Sequence, residues 1–301
     1  MKKIIVIGLS GESIFFKVDH FNNIGETINA LSVHTEPGGK GFNQALALHR
    51  LGANVSFITA LGSDVFSKSS YDFLDKEKID YYVINKNEKT AVATIITDKN
   101  GENQVTVYRG INDTLDINDI LKYKEVFENC DYVLIQQEMP LDTTYSIIDY
   151  CFENNIKVIL NPAPAVLLNK EVFKKIYLIT PNEFESKKIF GIKEDENIEK
   201  VFEKAKEYKV NNMIITLGKD GCVYYESGNI EYFKARKVKA VDTTGAGDVF
   251  NSGLVFSLAN GENINNAIKY ATIASSISVT RRGIVDAVPT SEEVKKVINN
   301  E

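Results

Sequence analysis

The chain has 301 residues, 44% of them hydrophobic and 25% charged, with a formal net charge of −6. This is the profile of a globular protein with one large domain or two ordinary ones, long enough to bury a sizeable core. It gives no general reason to expect binding to nucleic acid or to an anionic membrane, and no stretch approaches the roughly 18 apolar residues of a membrane-spanning helix.

The apolar run from Ile4 to Leu9, preceded by two lysines, superficially resembles a signal peptide. It is short and Glu12 soon interrupts it, so a buried strand over Ile4–Ile7 is expected. Ile14–Val18 and Ile28–His34 have the mixed character of half-exposed strands. Pro37-Gly38-Gly39-Lys40-Gly41-Phe42-Asn43-Gln44-Ala45 then opens a helix running to about Leu51. Glycines there let backbone approach a ligand closely, and the free N–H groups of a helix start favour oxygen-rich or anionic partners. Lys40 and Asn43 add polar side chains on the same turn. A simple tight turn would need fewer glycines than this.

Val55–Leu61 reads as another buried strand. Thr90–Thr97 and Gln104–Arg109 alternate apolar with polar residues around the turn sequence Asp98-Lys99-Asn100-Gly101, which predicts a hairpin with one wet face. With the two earlier segments this makes a small sheet, inserted from about 12–36 and 90–110. Such a sheet serves as a dimer surface, as decoration, or as a lid that keeps water from a reaction. Tyr132–Ile135, Val158–Leu160, Tyr177–Ile179 and Met213–Thr216 read as buried strands, with helical patterns at Leu141–Glu153 and Ile198–Tyr208 between them. That alternation predicts right-handed βαβ units and a mostly parallel sheet covered on both faces. Cys130, Cys151 and Cys222 match no zinc or redox spacing, so reduced core thiols of a cytoplasmic protein are expected. His20, His34 and His49 read as packing or lid residues.

Asp242-Thr243-Thr244-Gly245-Ala246-Gly247-Asp248 opens a second glycine-led helix through Val249, Phe250 and Leu254. Its small residues place backbone N–H groups where charge on a transferring phosphoryl group could be held. Asp248 lies at the helix start, where the helix dipole favours negative charge. Alone, it is as good a cap as a general base. No segment fits G-x-x-x-x-G-K-[ST], no strand is followed by G-x-G-x-x-G, and the protein-kinase motifs are absent.

Taken in order, these motifs resemble the ribokinase-like carbohydrate kinases, the phosphofructokinase-B family, over nearly the whole chain. Gly38–Ala45 resembles the first family signature and Asp242–Asn251 the second. Between them stand Asn161-Pro162-Ala163-Pro164, Thr180-Pro181-Asn182-Glu183-Phe184-Glu185 and Thr216-Leu217-Gly218-Lys219-Asp220-Gly221. The resemblance implies a three-layer α/β/α domain over 1–301 with a β-lid that often forms a homodimer interface. It implies MgATP and transfer to a primary alcohol of a small sugar, with Asp248 as base and Gly245, Ala246 and Gly247 as the anion hole. Gly11, Ser13, Gly38, Gly39, Lys40, Asn43 and Glu138 fall at substrate positions. Asn182, Thr216, Gly218 and Gly221 fall at nucleotide positions, and Glu185 at one governing magnesium through water. Asp242 and Thr244, with backbone from around Val279 and Arg282, match a loop that in many members binds a monovalent cation such as potassium.

One departure bears on the acceptor. At the position of Ser13 the family's namesake carries an aspartate that grips two sugar hydroxyls, and Gly11 stands where an asparagine is usual. A serine makes weaker hydrogen bonds than a carboxylate. Glu12 is adjacent, but in a strand it faces the other way. A ribokinase with a relaxed site and a kinase for a nucleoside or another sugar-like acceptor are both open. A non-catalytic sugar or nucleotide sensor is expected to have lost the base or the anion hole, and both are intact here.

Overall fold

The computed structural model describes residues 2–300; Met1 and Glu301, the ends of the expected 1–301 domain, lie outside them. In chain order the strands are β1 (Lys3–Ile7), β2 (Gly11–Lys17), β3 (Ser32–Gly38), β4 (Asn54–Ala60), β5 (Asp80–Ile84), β6 (Ala91–Thr97) and β7 (Asn103–Tyr108). They continue with β8 (Cys130–Gln136), β9 (Lys157–Asn161), β10 (Leu178–Ile179), β11 (Asn212–Thr216), β12 (Cys222–Glu226) and β13 (Asn229–Phe233). The helices are α1 (Lys40–Arg50), α2 (Lys68–Glu77), α3 (Ile117–Leu121), α4 (Leu141–Glu153), α5 (Glu183–Ile189), α6 (Glu199–Glu207), α7 (Ala246–Ala259), α8 (Ile264–Ser278) and α9 (Ser291–Ile298).

The large sheet has the order β13-β12-β11-β10-β9-β8-β1-β4-β5, parallel except where β12 and β13 pair antiparallel at one edge. Alternation along β1 divides the core. Ile5 and Ile7 join a cluster with Ile147 and Ile148 of α4 and Val201 of α6, whereas Ile4 and Val6 join Leu46 of α1, Leu254 of α7 and Ile268 of α8. Helices therefore cover both faces, as the near-continuous apolar runs of β1, β8 and β9 require. The chain leaves β1 toward α1 on one face and β8 toward α4 on the other. A crevice opens at the carboxyl ends of β1 and β8, the usual place for ligands in such sheets.

The expected second sheet is present, with the order β3-β2-β6-β7. Its boundaries differ from the sequence reading at two strands. The strand expected at Ile28–His34 is Ser32–Gly38, and the one expected at Ile14–Val18 is Gly11–Lys17. The cause is register. Pairing runs from Lys17↔Ser32 to Gly11↔Gly38, and beyond Lys17 the chain turns through Asp19 and His20, leaving residues 28–30 no partner in the ladder. The edge strands β5 and β13 carry no buried apolar run long enough to be read beforehand, whereas β12, one strand in from the edge, buries Cys222–Tyr225. His34 stacks on Phe15, with ring centroids 4.5 Å apart, and His20 sits between Asp19 and Glu26 at the tip of the small sheet. Cys151 and Cys222 are buried and all three cysteines are unpaired, with burial pushing their thiols well above the usual range. Among the described residues no helix is long and apolar enough to cross a membrane.

Candidate active site

α1 begins hard against the end of β1. Gly39, the N-cap, has φ 104, and a Cβ there would lie 2.5 Å from the Leu9 carbonyl oxygen. A Cβ on Gly41 would lie 2.5 Å from the Gly8 carbonyl carbon. These two glycines are explained by close backbone packing, which fixes Lys40, Asn43 and Gln44 over the crevice. Gly247 is different. It lies in the first turn of α7, and a Cβ there would meet nothing within 4 Å. The fold gives no reason for a glycine at 247; a ligand approaching the backbone would.

Asp248 is 4% exposed, and both of its oxygens are engaged. Asn43 Nδ2 donates to Oδ2 at 2.8 Å and Gln44 Nε2 to Oδ1 at 2.9 Å. Behind them runs a buried amide network. Gln44 Nε2 also donates to Asn161 Oδ1 (3.1 Å), and Gln136 Nε2 donates to Gln44 Oε1 (2.6 Å). Asn161 donates to the Thr180 carbonyl, Thr180 Oγ1 to Asn251 Oδ1, and Asn251 Nδ2 back to the Gly247 carbonyl. The carboxylate is thus held from both sides, more than a helix cap requires. Lys40 stands among three carboxylates. Asp248 first, then Glu138 and Glu185, raise its pKa against the opposing effect of burial. Burial pushes Glu138 up to about 7, although Lys40 lies close and its N–H donates to Glu138 Oε2 at 2.8 Å. Burial also raises Glu185, one of whose oxygens accepts the Asn182 N–H in a capping box at the start of α5.

Two cavities meet at Asp248, and a third opens beside it at Ala246 and Gly247. The first, 240 Å³, is lined by all seven substrate candidates, Gly11, Ser13, Gly38, Gly39, Lys40, Asn43 and Glu138, together with Thr244, Gly245 and Asp248. The second, 210 Å³, takes in Lys40, Asn182, Glu185, Thr216 and the run Gly245–Asp248. The third, 510 Å³, takes in Thr216, Gly218, Gly221, Val279, Ala246 and Gly247. A larger groove of 790 Å³ between β13 and α8 contains none of the candidate residues, and its size alone does not make it the reaction site.

Asp242 and Arg282 do not line these cavities. Asp242 Oδ1 accepts the Thr244 N–H (2.9 Å) and Oδ2 the Gly283 N–H (3.1 Å), so this carboxylate shapes the turn leading into Gly245. The Val279 carbonyl accepts two N–H groups, from Val241 and Asp242. Arg282 is exposed, while its neighbour Arg281 pairs with Glu293. Glu12 accepts a hydrogen bond from Ser69 of α2, so its carboxylate is turned from Ser13 as strand alternation dictates, although both residues border the first cavity. The sequence reading left Gln44, Asn161, Thr180 and Asn251 without roles, though each lies in a motif that it singled out. Ala91, Ala93, Val105 and Val107 lie in the expected lid hairpin, but their role as cavity walls carries no signal, because small and β-branched residues in a strand look like ordinary sheet.

Comparison with known proteins identifies the family. The family model described as pfkB family carbohydrate kinase matches residues 1–291. Ribokinase of Bacillus subtilis (strain 168) is 35% identical over 302 residues, covering 99% of this chain and 100% of that one. The crystal structure of ribokinase from Thermotoga maritima superposes with a TM-score of 0.89 at 36% identity, covering 100% of both chains. Ribokinase from Cryptococcus neoformans var. grubii serotype A, whose structure is in complex with ADP, gives 0.82 at 29% identity, covering 99% of this chain and 100% of that one. The chain belongs to the pfkB family and is an ATP-dependent carbohydrate kinase.

Proposed function

We propose that this kinase transfers the γ-phosphoryl group of ATP to the hydroxymethyl group of ribose or a closely related pentofuranose, with Asp248 as general base. The observation that carries the reading is the position of Asp248, which lines both the cavity under the lid and the one that reaches Asn182 and Thr216, with Gly247 beside it opening on the third. A free alkoxide is too basic to exist at neutral pH, so the hydroxyl loses its proton as it attacks, to an acceptor already aligned. Asn43 and Gln44 supply that alignment by holding one lone pair on each Asp248 oxygen, leaving others for the substrate proton. The N–H groups of Gly245 and Gly247, joined by that of Ala246 where it turns from the Thr243 carbonyl, would stabilise charge on the transferring group, with Lys40 beside them. Glu138 and Ser13 would hold ring hydroxyls, and the small sheet would exclude water.

Magnesium fits the site through Glu185. Glu185 lines the 210 Å³ cavity beside Asp248 and would hold the ion through water. When bound, it neutralises phosphate charge. A potassium ion would be held by the turn at Asp242 and Thr244; Val279 contributes least, since its carbonyl already accepts two N–H groups. Asn182, Thr216, Gly218 and Gly221 would line the nucleotide. We extend the proposal to a cytoplasmic homodimer through the lid, which exposes Val33, Val105 and Tyr108.

An ADP-release screen over pentoses, hexoses, phosphosugars and nucleosides, with and without potassium, tests this. Turnover on ribose or a related pentose is expected. Turnover on nucleosides with none on free pentoses would favour the second reading, which Ser13 keeps open.

A further inference from the structure

The lid touches the anion-hole loop through one carboxylate. Glu36 lies in β3 directly across from Ser13 in β2, so both side chains leave the same face of the small sheet. Ser13 lines the sugar cavity. Glu36 instead reaches out of the lid, and its Oε1 accepts the Ile284 N–H at 3.3 Å. A Cβ on Gly283 would lie 3.8 Å from each Glu36 oxygen, so the carboxylate lies against the Gly283–Ile284 backbone. The Gly283 N–H donates to Asp242, and Asp242 holds the Thr244 N–H at the entry to Gly245–Gly247. The Ile284 side chain completes the chain of contacts, 3.6 Å from where a Cβ on Gly245 would be. From behind, Arg50 of α1 donates to the Val285 carbonyl and pairs with Glu77 at 3.0 Å. The segment 283–285 is thereby gripped by α1, by the Asp242 turn and by the lid.

We propose that Glu36 is a positioning residue that seats the lid on this segment, fixing the distance between an acceptor held under the lid and the N–H groups of Gly245–Gly247. The proposal rests on the assignment of those N–H groups as the anion hole. A half-buried carboxylate in a lid strand is costly unless its bonds do something for the protein. Burial does raise its pKa, opposed first by the Ile284 N–H. What it does here is mechanical: transfer demands that the acceptor oxygen and phosphorus meet in line, and a shift of about 1 Å costs on the order of 10²-fold in rate.

The test is a ranking of three variants by kcat, KM for sugar and KM for ATP, with thermal unfolding followed in parallel. Glu36→Gln keeps an oxygen at the same reach and should stay within about threefold of wild type. Glu36→Asp keeps the charge but withdraws it by one methylene, and Glu36→Ala removes it. Both should lose about 10–10²-fold in kcat with KM for ATP unchanged. If Glu36→Ala does not fold, the Gln and Asp variants decide. Asp equal to or better than Gln, or all three within twofold of wild type, overturns the proposal. An error in the anion hole shows separately, as retained activity in folded Gly247→Pro, which removes one of its N–H groups at a first-turn position where proline fits. A failed Glu36 ranking with Gly247→Pro inactive condemns the latch alone.

Discussion

The two walls of the acceptor cavity are built in different ways. On the side of the large sheet, Asp248 is fixed by Asn43 and Gln44, and Gln44 by Asn161 and Gln136, so every step of the network is a directed hydrogen bond. On the lid side the wall is mostly Gly11, Ser13, Ala91, Ala93, Val105 and Val107, with one hydroxyl among them, and the one carboxylate at its border, Glu12, is engaged by Ser69. The first wall specifies a reaction and tolerates little change, because a buried polar group left without its partner costs about 1–3 kcal/mol. The second specifies a shape, and shapes are readily altered. The chemistry of this protein is therefore better determined than its acceptor.

Four substitutions would break or sharpen that contrast. Asp248→Asn should have the largest effect, lowering kcat by about 10³–10⁴-fold. Gln44→Leu should come next. It strips a hydrogen bond from Asp248 Oδ1 and leaves Gln136 Nε2 without its acceptor, so kcat should fall about 10²-fold and stability by about 1.5–3 kcal/mol in denaturant unfolding.

Glu138→Gln comes third. With its pKa raised to about 7, Glu138 must lose a proton to accept sugar hydroxyls, so kcat/KM for sugar should fall as pH drops through about 7. The effect on stability has the opposite sign. A carboxyl with a raised folded-state pKa binds its proton more tightly when folded, so stability falls as pH rises from its ordinary 4.5 toward about 7. Glu138→Gln should remove the acid limb and unfold at a higher temperature than wild type at pH 8. A pH profile with its acid limb unchanged would remove Glu138 from the sugar site. Ser13→Asp should have the smallest effect on turnover, lowering KM for ribose several-fold with kcat nearly unchanged, read from steady-state kinetics. A rise in KM for ribose would mean that the true acceptor needs the smaller residue.

Much of this was legible in the chain. The buried strands β1, β8 and β9 announced themselves as apolar runs, and α4 and α6 as periodic patterns. The glycine-rich helix starts marked the site, and all seven substrate candidates line one cavity. What stayed hidden depends on tertiary register. The start of β3 is set by its pairing with β2 and not by its own residues. Asp248 alone could be a cap or a base, and only the convergence of Asn43 and Gln44, about 200 residues away in sequence, separates the two readings. Glu36 carried no signal, because its partner is a backbone N–H at position 284.

The most direct measurement takes one preparation of Asp248→Asn, titrates it with ATP by calorimetry and monitors phosphoryl transfer to the best acceptor. The account predicts ATP binding close to wild type with transfer reduced at least about a thousandfold. Transfer near the wild-type rate would contradict Asp248 as the base.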